Sequence, residues 1–202
     1  MTTAKNAMRL DDAAQEVLDF WFGAPGSPEH GRTREAWFRK DAAFDRAIAT
    51  RFGALIERGI AGALAHWQRE PLGALAEIVL LDQFPRNAFR DTARAFAGDA
   101  RALRLAQALL ASGADRGLLA VQRQFAYLPF EHAESAALQD EAVRLFRQLA
   151  ADHPEQAGLL EWADKHHVII ERFGRFPHRN LVLGRVSTAE EIEFLKQPGS
   201  GF

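Results

Sequence analysis

The side chains that could do chemistry fall into four short clusters, and the first surrounds Asp82. Asp82 follows Leu75 by seven residues and Ile78 by four, so it shares their buried helix face. Because a buried carboxylate is costly without a partner, we predict that Asp82 pairs with an arginine. Its polar neighbours are candidates for binding a ligand, although Arg86 and Asn87 also suit a helix C-terminus for structural reasons alone. With Asp82, the candidates of this cluster are Gln83, Arg86 and Asn87.

The second cluster surrounds Glu131. Pro129 is expected to end one helix and to open a new turn, which would put Glu131, Glu134 and Ser135 on one face. A pair of carboxylates beside His132 could perform acid/base chemistry or hold a hard metal ion. The alternative is structural, since acidic residues in the first turn of a helix are stabilised by the helix dipole.

The third cluster contains two adjacent histidines. His167 lies at helical spacing from Leu160, Ala163 and Ile170, so we predict that it faces the core. A histidine in that position can be purely structural, or it can act as an acid or a ligand. The metal-binding spacings Glu-x-x-His and His-Glu-x-x-His are absent, so the sequence predicts no metal site.

The fourth cluster is rich in arginine and echoes the first, because Phe-Pro-Arg-Asn at 84–87 is matched by Phe-Pro-His-Arg-Asn at 176–180. Arginines on a loop could clamp a carboxylate or a phosphate. Alternatively, they pair with the carboxylates of the first two clusters and lock the fold. We expect the two related helix ends to meet near Glu131 and His132. The candidate ligand-binding residues of this cluster are Arg175, His178, Arg179 and Asn180.

The elements that must position these clusters are helices. Strong helix formers are abundant, β-branched residues are few, and apolar residues recur at three- and four-residue steps. Two predicted helix pairs begin at Asp99 and Ser135, which are 36 residues apart and therefore close to the period of a helix–turn–helix repeat. We predict an all-α, TPR-like array of antiparallel helix pairs with about 8–10 helices. It would form a single domain over residues 1–202, with a short flexible N-terminus at 1–10 and a tail at 197–202.

The predicted helices are most strongly marked by their apolar stripes. They lie near residues 17–21, 37–56, 64–67, 73–84, 99–110, 118–128, 135–149 and 155–173, and a last helix follows a capping box at 187–190. The helix near 73–84 is apolar almost all round, so we place it at the centre of the fold.

Composition excludes several classes of protein. The 202-residue chain has no cysteine, which rules out disulfides, a thiolate nucleophile and cysteine-ligated metals. Its formal net charge of -2 gives no general electrostatic reason to bind nucleic acid or an anionic membrane. No apolar run could span a bilayer and no export signal is recognisable, so we expect a cytoplasmic protein. Phosphate-loop, dinucleotide and Gly-x-Ser-x-Gly motifs are absent, and no cofactor is predicted.

Five motifs follow one another in an order that is typical of a known family. They are Asp19-Phe20-Trp21-Phe22-Gly23, Trp37-Phe38, Leu81-Asp82-Gln83-Phe84-Pro85-Arg86-Asn87, Phe130-Glu131-His132-Ala133-Glu134 and Phe173-Gly174-Arg175-Phe176-Pro177-His178-Arg179-Asn180. From about residue 17 to 194, the chain resembles the largely bacterial family called domain of unknown function 924. The resemblance implies an all-helical, TPR-like fold and no particular activity.

The resemblance also implies a set of recurring polar residues. Ala133 departs from the family pattern, which has a serine there, and this weakens any hydroxyl-based mechanism. The recurring residues are Asp82, Gln83, Arg86, Asn87, Glu131, His132, Glu134, His167, Arg175, His178, Arg179 and Asn180.

Three functions are compatible with these residues. The first is a binding module whose polar pocket takes a small anionic molecule or an acidic peptide. The second is a hydrolase in which Glu131 or Glu134 is the base, His132 or His167 is the acid, and Arg175 and Arg179 hold the substrate anion. The third is a structural protein whose polar network only locks the fold. Arginines that reach Asp82 and the glutamates directly, with no cavity, would favour the structural protein. An open pocket with unpaired arginines would favour the binding module, and a carboxylate and a histidine within hydrogen-bond reach inside that pocket would favour the hydrolase.

Overall fold

Nine α-helices and no β-strand make up residues 10–201, the part of the chain that the computed structural model describes. The predicted all-α fold class is therefore confirmed. The helices are α1 (Asp12–Phe22), α2 (Ala42–Ile60), α3 (Pro71–Asp82), α4 (Phe84–Ala88), α5 (Asp99–Ala111), α6 (Ala120–Glu131), α7 (Ala136–Asp152), α8 (Gly158–Phe173) and α9 (Ala189–Leu195).

Helix α3 lies at the centre of the fold, as its sequence predicts. Every residue of α3 from Gly73 to Asp82 is buried, and the helix packs against α1, α2, α5 and α6. Helix α3 contains two buried acidic residues, Glu77 and Asp82. Glu77 is neutralised by Arg101, whose Nε lies 2.8 Å from the Glu77 carboxylate. Because α3 is enclosed on all sides, its C-terminal end brings Asp82 into the interior of the protein.

Helices α5 to α8 pack in chain order, α5 on α6, α6 on α7 and α7 on α8. The connections between them are short, so neighbouring helices run in opposite directions. Helix α5 begins at Asp99, and Ser135 is the N-cap of α7, as predicted. These contacts are compatible with the predicted TPR-like array.

Two predicted helix boundaries are wrong. Trp37 lies in a separate short 3-10 helix, and α2 begins only at Ala42 because the Asp41 carboxylate caps it, accepting from the Ala43 N–H at 2.7 Å. Pro129 does not end α6, which continues to Glu131. Only the N–H of Pro129 itself is missing from the helical pattern, and at the end of α6 the His132 N–H still donates to the Leu128 carbonyl at 2.9 Å.

The capping box of the last helix lies one residue further on than the sequence pattern suggests. Thr188, and not Ser187, is the N-cap of α9. Its hydroxyl accepts from the Glu191 N–H at 3.2 Å, and the Glu191 carboxylate accepts from the Thr188 N–H at 2.7 Å. Glu191 is thereby drawn inward and buried.

Most buried apolar side chains of α1 to α8 form one continuous core, and Ile169, Ile170 and Phe176 form a second, smaller cluster at the end of α8 and in the loop after it. This continuity supports the predicted single domain, which stays a prediction. Of the predicted flexible ends, residues 1–9 and 202 lie outside the described residues. Within residues 10–201, no helix combines the length and the apolar character that a membrane-crossing segment needs.

Trp21 anchors α1 in this core, and replacing it tests the packing. Its side chain is 1% exposed and packs against Trp37 and Phe125, with ring centroids 5.9 and 5.5 Å away. We expect Trp21→Ala to lower the free energy of unfolding by about 3–5 kcal/mol, measured by urea denaturation. The control is Trp162→Ala, since Trp162 is 51% exposed and should change stability by at most about 0.5 kcal/mol. Equal effects of the two substitutions would contradict this placement of Trp21.

Candidate functional site

The ends of α3 and α6 meet the loop that follows α8, as the repeated Phe-Pro motif led us to expect. The Asp82 carboxylate, at the end of α3, lies 2.7 Å from His132 Nδ1, at the end of α6. Arg179, in the loop after α8, donates to the His132 carbonyl at 3.0 Å. We call the residues gathered at this meeting point the polar cluster: Asp82, Arg86, Asp99, Glu131, His132, His166 and Arg179.

Asp82 is fully buried and paired with an arginine, as predicted. Arg86 Nη1 lies 3.4 Å from its carboxylate, and Gln83 Nε2 also donates to it. Burial alone would raise the pKa of Asp82, but the charge of Arg86 and the contact with His132 outweigh burial and hold the pKa well below its usual range. Asp82 is therefore ionised at neutral pH.

Arg86 bridges two carboxylates. Besides Asp82, it binds Asp99 in a bidentate manner, with N–O distances of 2.8 and 3.0 Å. It also donates to the backbone carbonyl of Asp82. Both Nη atoms of this guanidinium are therefore engaged by acceptors of the protein itself.

His132 is oriented by Asp82. Because an ionised carboxylate only accepts hydrogen bonds, His132 Nδ1 carries the hydrogen in their 2.7 Å contact. Burial and the nearby charge of Arg86 lower the pKa of His132, although Asp82 opposes them. The ring is therefore neutral at pH 7, with its lone pair on Nε2.

Glu131 and His166 form a second buried pair. The Glu131 carboxylate lies 3.0 Å from His166 Nδ1, which also lies 2.8 Å from the Trp162 carbonyl. Among residues 10–201, no arginine or lysine lies within 4 Å of the Glu131 carboxylate. Burial, and then the charge of Asp82, raise the pKa of Glu131 to about 8, while burial and then His132 lower the pKa of His166 to about 3.

Arg179 is the buried arginine of the cluster with an incomplete set of partners. Its guanidinium lies between the rings of Phe96 and Phe176, 4.7 and 4.4 Å from their centroids. It contacts Asp99 only at 3.7 Å, and its Nε finds no acceptor within the described part of the chain. Burial and the charge of Arg86 lower the pKa of Arg179 to about 10, so it remains charged at pH 7.

The other candidates form a shell of completed ion pairs outside the cluster. The Glu134 carboxylate accepts two hydrogen bonds from Arg185, at 2.6 and 2.9 Å, and one from the Phe176 N–H. Arg175 binds Glu191 in the same bidentate way, at 2.6 and 2.8 Å. The pairing of Arg185 with Glu134 is the kind that the structural hypothesis predicts, whereas the partner of Arg175, Glu191, lies outside the first two clusters.

The remaining candidates are also accounted for by protein contacts. Asn180 donates to Ser187 at 3.0 Å and to Glu191 at 3.3 Å. Asn87 donates to Asp45, outside the polar cluster, at 2.8 Å. His178 is partly buried beside Arg179, and burial and that charge lower its pKa to about 4.

The prediction that His167 faces the core is wrong. His167 lies at the surface, where its Nε2 is 2.8 Å from Asp140, and its side chain is 28% exposed. His166 faces inward instead and is 5% exposed. Sequence reasoning also missed Asp99 as a cluster residue, since an acidic residue in the first turn of a helix needs no further explanation.

A pocket of about 350 Å³ between α5, α6 and α7 lies apart from the polar cluster. Its wall includes Tyr127, whose hydroxyl donates to Asp115 at 2.7 Å and accepts from Arg123 at 3.0 Å. Arg123 and Tyr127 are one helical turn apart on α6, and Asp115 precedes that helix, but the sequence analysis predicted no site from these three residues.

The contact between Arg175 and Glu191 predicts how the stability of the fold changes as the pH is lowered. Hydrogen bonds from Arg175 lower the pKa of Glu191 from 4.5 to about 2, against the effect of burial. The stabilisation is therefore complete above about pH 5 and is lost as the pH falls from 4.5 towards 2. We expect Glu191→Gln to reduce the urea midpoint more at pH 7 than at pH 3. An equal reduction at both pH values would contradict this assignment.

The fold and the site together define a class: an all-helical protein with a buried cluster of carboxylates, histidines and arginines where helix ends meet. The family model "Bacterial protein of unknown function (DUF924)" matches residues 17–199, and the chain belongs to this family. A solved structure, the protein of unknown function ATU0120 from Agrobacterium tumefaciens, is similar with a TM-score of 0.79 and 39% identity. The match covers 91% of this chain and 97% of the other. No curated protein matches the chain.

Proposed function

We propose that the protein is a binding module that takes a small anionic molecule at the polar cluster, with Arg179 as its anchor. The observation that carries this proposal is the state of Arg179, which is buried and charged but has an Nε donor without an acceptor in the described part of the chain. An unmatched buried donor is costly, particularly on a charged group. An anionic oxygen at this position would remove that cost.

The other arginines narrow the choice to Arg179. Arg86 is held by Asp82 and Asp99, Arg175 by Glu191, and Arg185 by Glu134. The predicted clamp of several arginines thus reduces to one guanidinium. The rings of Phe96 and Phe176 fix its plane, so that little side-chain freedom remains to be lost when an anion binds.

A thermal-shift screen with inorganic phosphate, citrate and short dicarboxylates tests the proposal. We expect at least one anion to raise the melting midpoint of the wild type, since a ligand at 100 times its Kd stabilises by about 2.7 kcal/mol. Arg179→Met should abolish this shift and leave the unliganded protein as stable as the wild type or slightly more stable. Arg175→Met is the matched control, because it removes an arginine from the same loop but should retain the shift.

Two results would overturn the binding proposal. One is a wild-type protein that none of these anions stabilises. The other is an Arg179→Met protein that is strongly destabilised and never binds an anion, which would favour the structural hypothesis for this loop.

A second candidate function, hydrolysis, is favoured by the 2.7 Å contact between Asp82 and His132. A carboxylate that orients a neutral histidine is a common arrangement in acid/base catalysis. His132 Nε2 would take a proton from water as the water oxygen bonds to the substrate, and would then return the proton to the leaving group. Glu131 is the second carboxylate within reach. Glu134 and His167 drop out, because Arg185 occupies the first and the second lies beside Asp140 at the surface.

Assays with chromogenic ester and phosphate substrates test this candidate. His132→Gln should abolish any activity, whereas His167→Gln should retain it. Activity that survives in His132→Gln would exclude His132 from the reaction. The cytoplasmic location and the absence of nucleic-acid binding remain predictions, and the absorbance ratio of the purified protein checks the second of them.

A further inference from the structure

We propose that Glu131, His132 and His166 bind a divalent transition-metal ion between the C-terminal end of α6 and α8. Each residue offers one ligand atom, and the three atoms all lie within 4.8 Å of one another. The two imidazole rings are 6.2 Å apart at their centroids, which leaves space for an ion between them. This inference goes beyond anion binding and does not depend on it.

The donor set determines which ions would fit. Two imidazoles and one carboxylate suit zinc, iron(II), manganese or cobalt(II), whereas calcium and magnesium prefer oxygen ligands alone. Metal–ligand bonds of about 2.0–2.2 Å place the ligand atoms about 3.4 Å apart in a tetrahedral site. A separation of up to 4.8 Å therefore requires only a small inward movement of the side chains. Three protein ligands would leave at least one position open for water or another ligand.

The contacts behind the three ligands resemble the outer shell of a metal site. Asp82 accepts from His132 Nδ1 at 2.7 Å, so that the opposite nitrogen, Nε2, is the one presented to a metal. His166 Nδ1 lies 2.8 Å from the Trp162 carbonyl and 3.0 Å from Glu131, so this ring would have to turn for one nitrogen to bind the ion while the other keeps its contact with the carbonyl. Carboxylates and backbone carbonyls hold metal-binding histidines in this way in known sites.

The charges of the cluster also favour a cation at Glu131. Arg86 and Arg179 together offset Asp82 and Asp99. Glu131 is then left as a buried acidic group with only a histidine within ion-pair distance. A divalent ion would bind the Glu131 carboxylate in place of its proton and would leave a net positive site, to which an anion near Arg179 could bind.

The sequence spacing did not indicate this site because two of the ligands are adjacent. Neighbouring residues of a regular helix point about 100° apart, so adjacent residues such as Glu131 and His132 are not recognised as a pair of ligands from their spacing. His132 is the C-cap of α6, and α8 brings His166 opposite the pair. The third ligand is therefore supplied by a different helix, which a search for fixed spacings along one helix cannot find.

Cobalt(II) titration of the metal-stripped protein tests the inference. We expect saturable binding of one ion per chain with visible absorption bands, and elemental analysis of freshly purified protein should detect a transition metal. Glu131→Gln and His166→Gln should each weaken cobalt binding by more than about 100-fold, and Asp82→Asn by about 10–100-fold. The matched control is His167→Gln, which removes the adjacent surface histidine and should leave binding unchanged.

The wild-type titration decides the outcome even where a variant fails to fold. A wild-type protein that takes up no cobalt overturns the inference, and so does a folded His166→Gln protein that binds as tightly as His167→Gln. Arg179→Met should lose the anion and retain cobalt binding. A wild-type protein that binds cobalt but none of the anions would therefore contradict the anion anchor at Arg179 and leave the metal site standing. If the metal is bound, Glu131 and His132 are ligands, which excludes them as the acid and base of the hydrolytic candidate.

Discussion

Asp82→Asn is expected to lower the free energy of unfolding by about 3–5 kcal/mol. The carboxylate is completely buried and is shared by Arg86, His132 and Gln83. Asparagine keeps one acceptor oxygen, but it has no charge, and its amide group replaces the second oxygen with a donor that faces donors. Arg86 then has Asp99 as its remaining carboxylate partner. Removing one partner from a buried charge network is costly because the remaining charges stay buried without their counter-charge.

Urea denaturation at pH 7 measures this effect. The matched control is Glu57→Gln, since Glu57 also pairs with an arginine, Arg94, but both side chains are more than half exposed. Surface pairs of this kind contribute about 0–1 kcal/mol. If Asp82→Asn costs no more than Glu57→Gln, Asp82 does not hold the helix ends together, and the structural role assigned to it is wrong.

The burial of Asp82 and its pairing with an arginine could be predicted from residues close to it in the sequence. Leu75 and Ile78 set the buried face of α3, and Asp82 lies on that face at spacings of seven and four residues. Burial of a carboxylate then requires a partner, and Arg86 is one helical turn away. Both inferences are local, so the chain alone suffices for them.

The choice between His166 and His167 could not be made in the same way. Ala163 and Ile170 mark the buried face of α8, and they are seven residues apart. A residue three positions after Ala163 and a residue four positions after it both fit between them, because a helix has 3.6 residues per turn. His166 faces inward, where it contacts Glu131 of α6. That contact joins residues far apart in the sequence, so the periodicity of α8 alone does not reveal it.

The remaining members of the site depend on how helices approach one another. Asp99 reaches Arg86 because α5 begins directly against the end of α3, and periodicity within α5 carries no information about that approach. The same holds for Glu191, which reaches Arg175 across the loop before α9. Secondary structure could thus be predicted to a large extent, whereas the partners in the polar cluster could be predicted only where they lie within one helix.

Gly98→Ala is the second substitution for which we expect a large effect, because Gly98 sets the approach of α5 to α3. A Cβ atom on Gly98 would lie 2.2 Å from the Leu81 carbonyl oxygen and 2.9 Å from its carbon, so backbone and not a flexible side chain would have to move. The φ angle of Gly98 is -90°, which alanine adopts freely, and the effect is therefore steric alone. We expect a loss of about 3 kcal/mol or more in the free energy of unfolding.

The control for this substitution is Gly53→Ala in α2, where no heavy atom lies within 4 Å of the added Cβ. It should stabilise the protein by about 0.5–1 kcal/mol, since alanine favours a helix interior. A double-mutant cycle then identifies the cause of the Gly98 effect. If Gly98→Ala pushes Asp99 away from Arg86, Asp99→Asn should cost less in the Gly98→Ala protein than in the wild type. Equal costs in the two backgrounds would show that the close approach at Gly98 is not what brings Asp99 into the polar cluster.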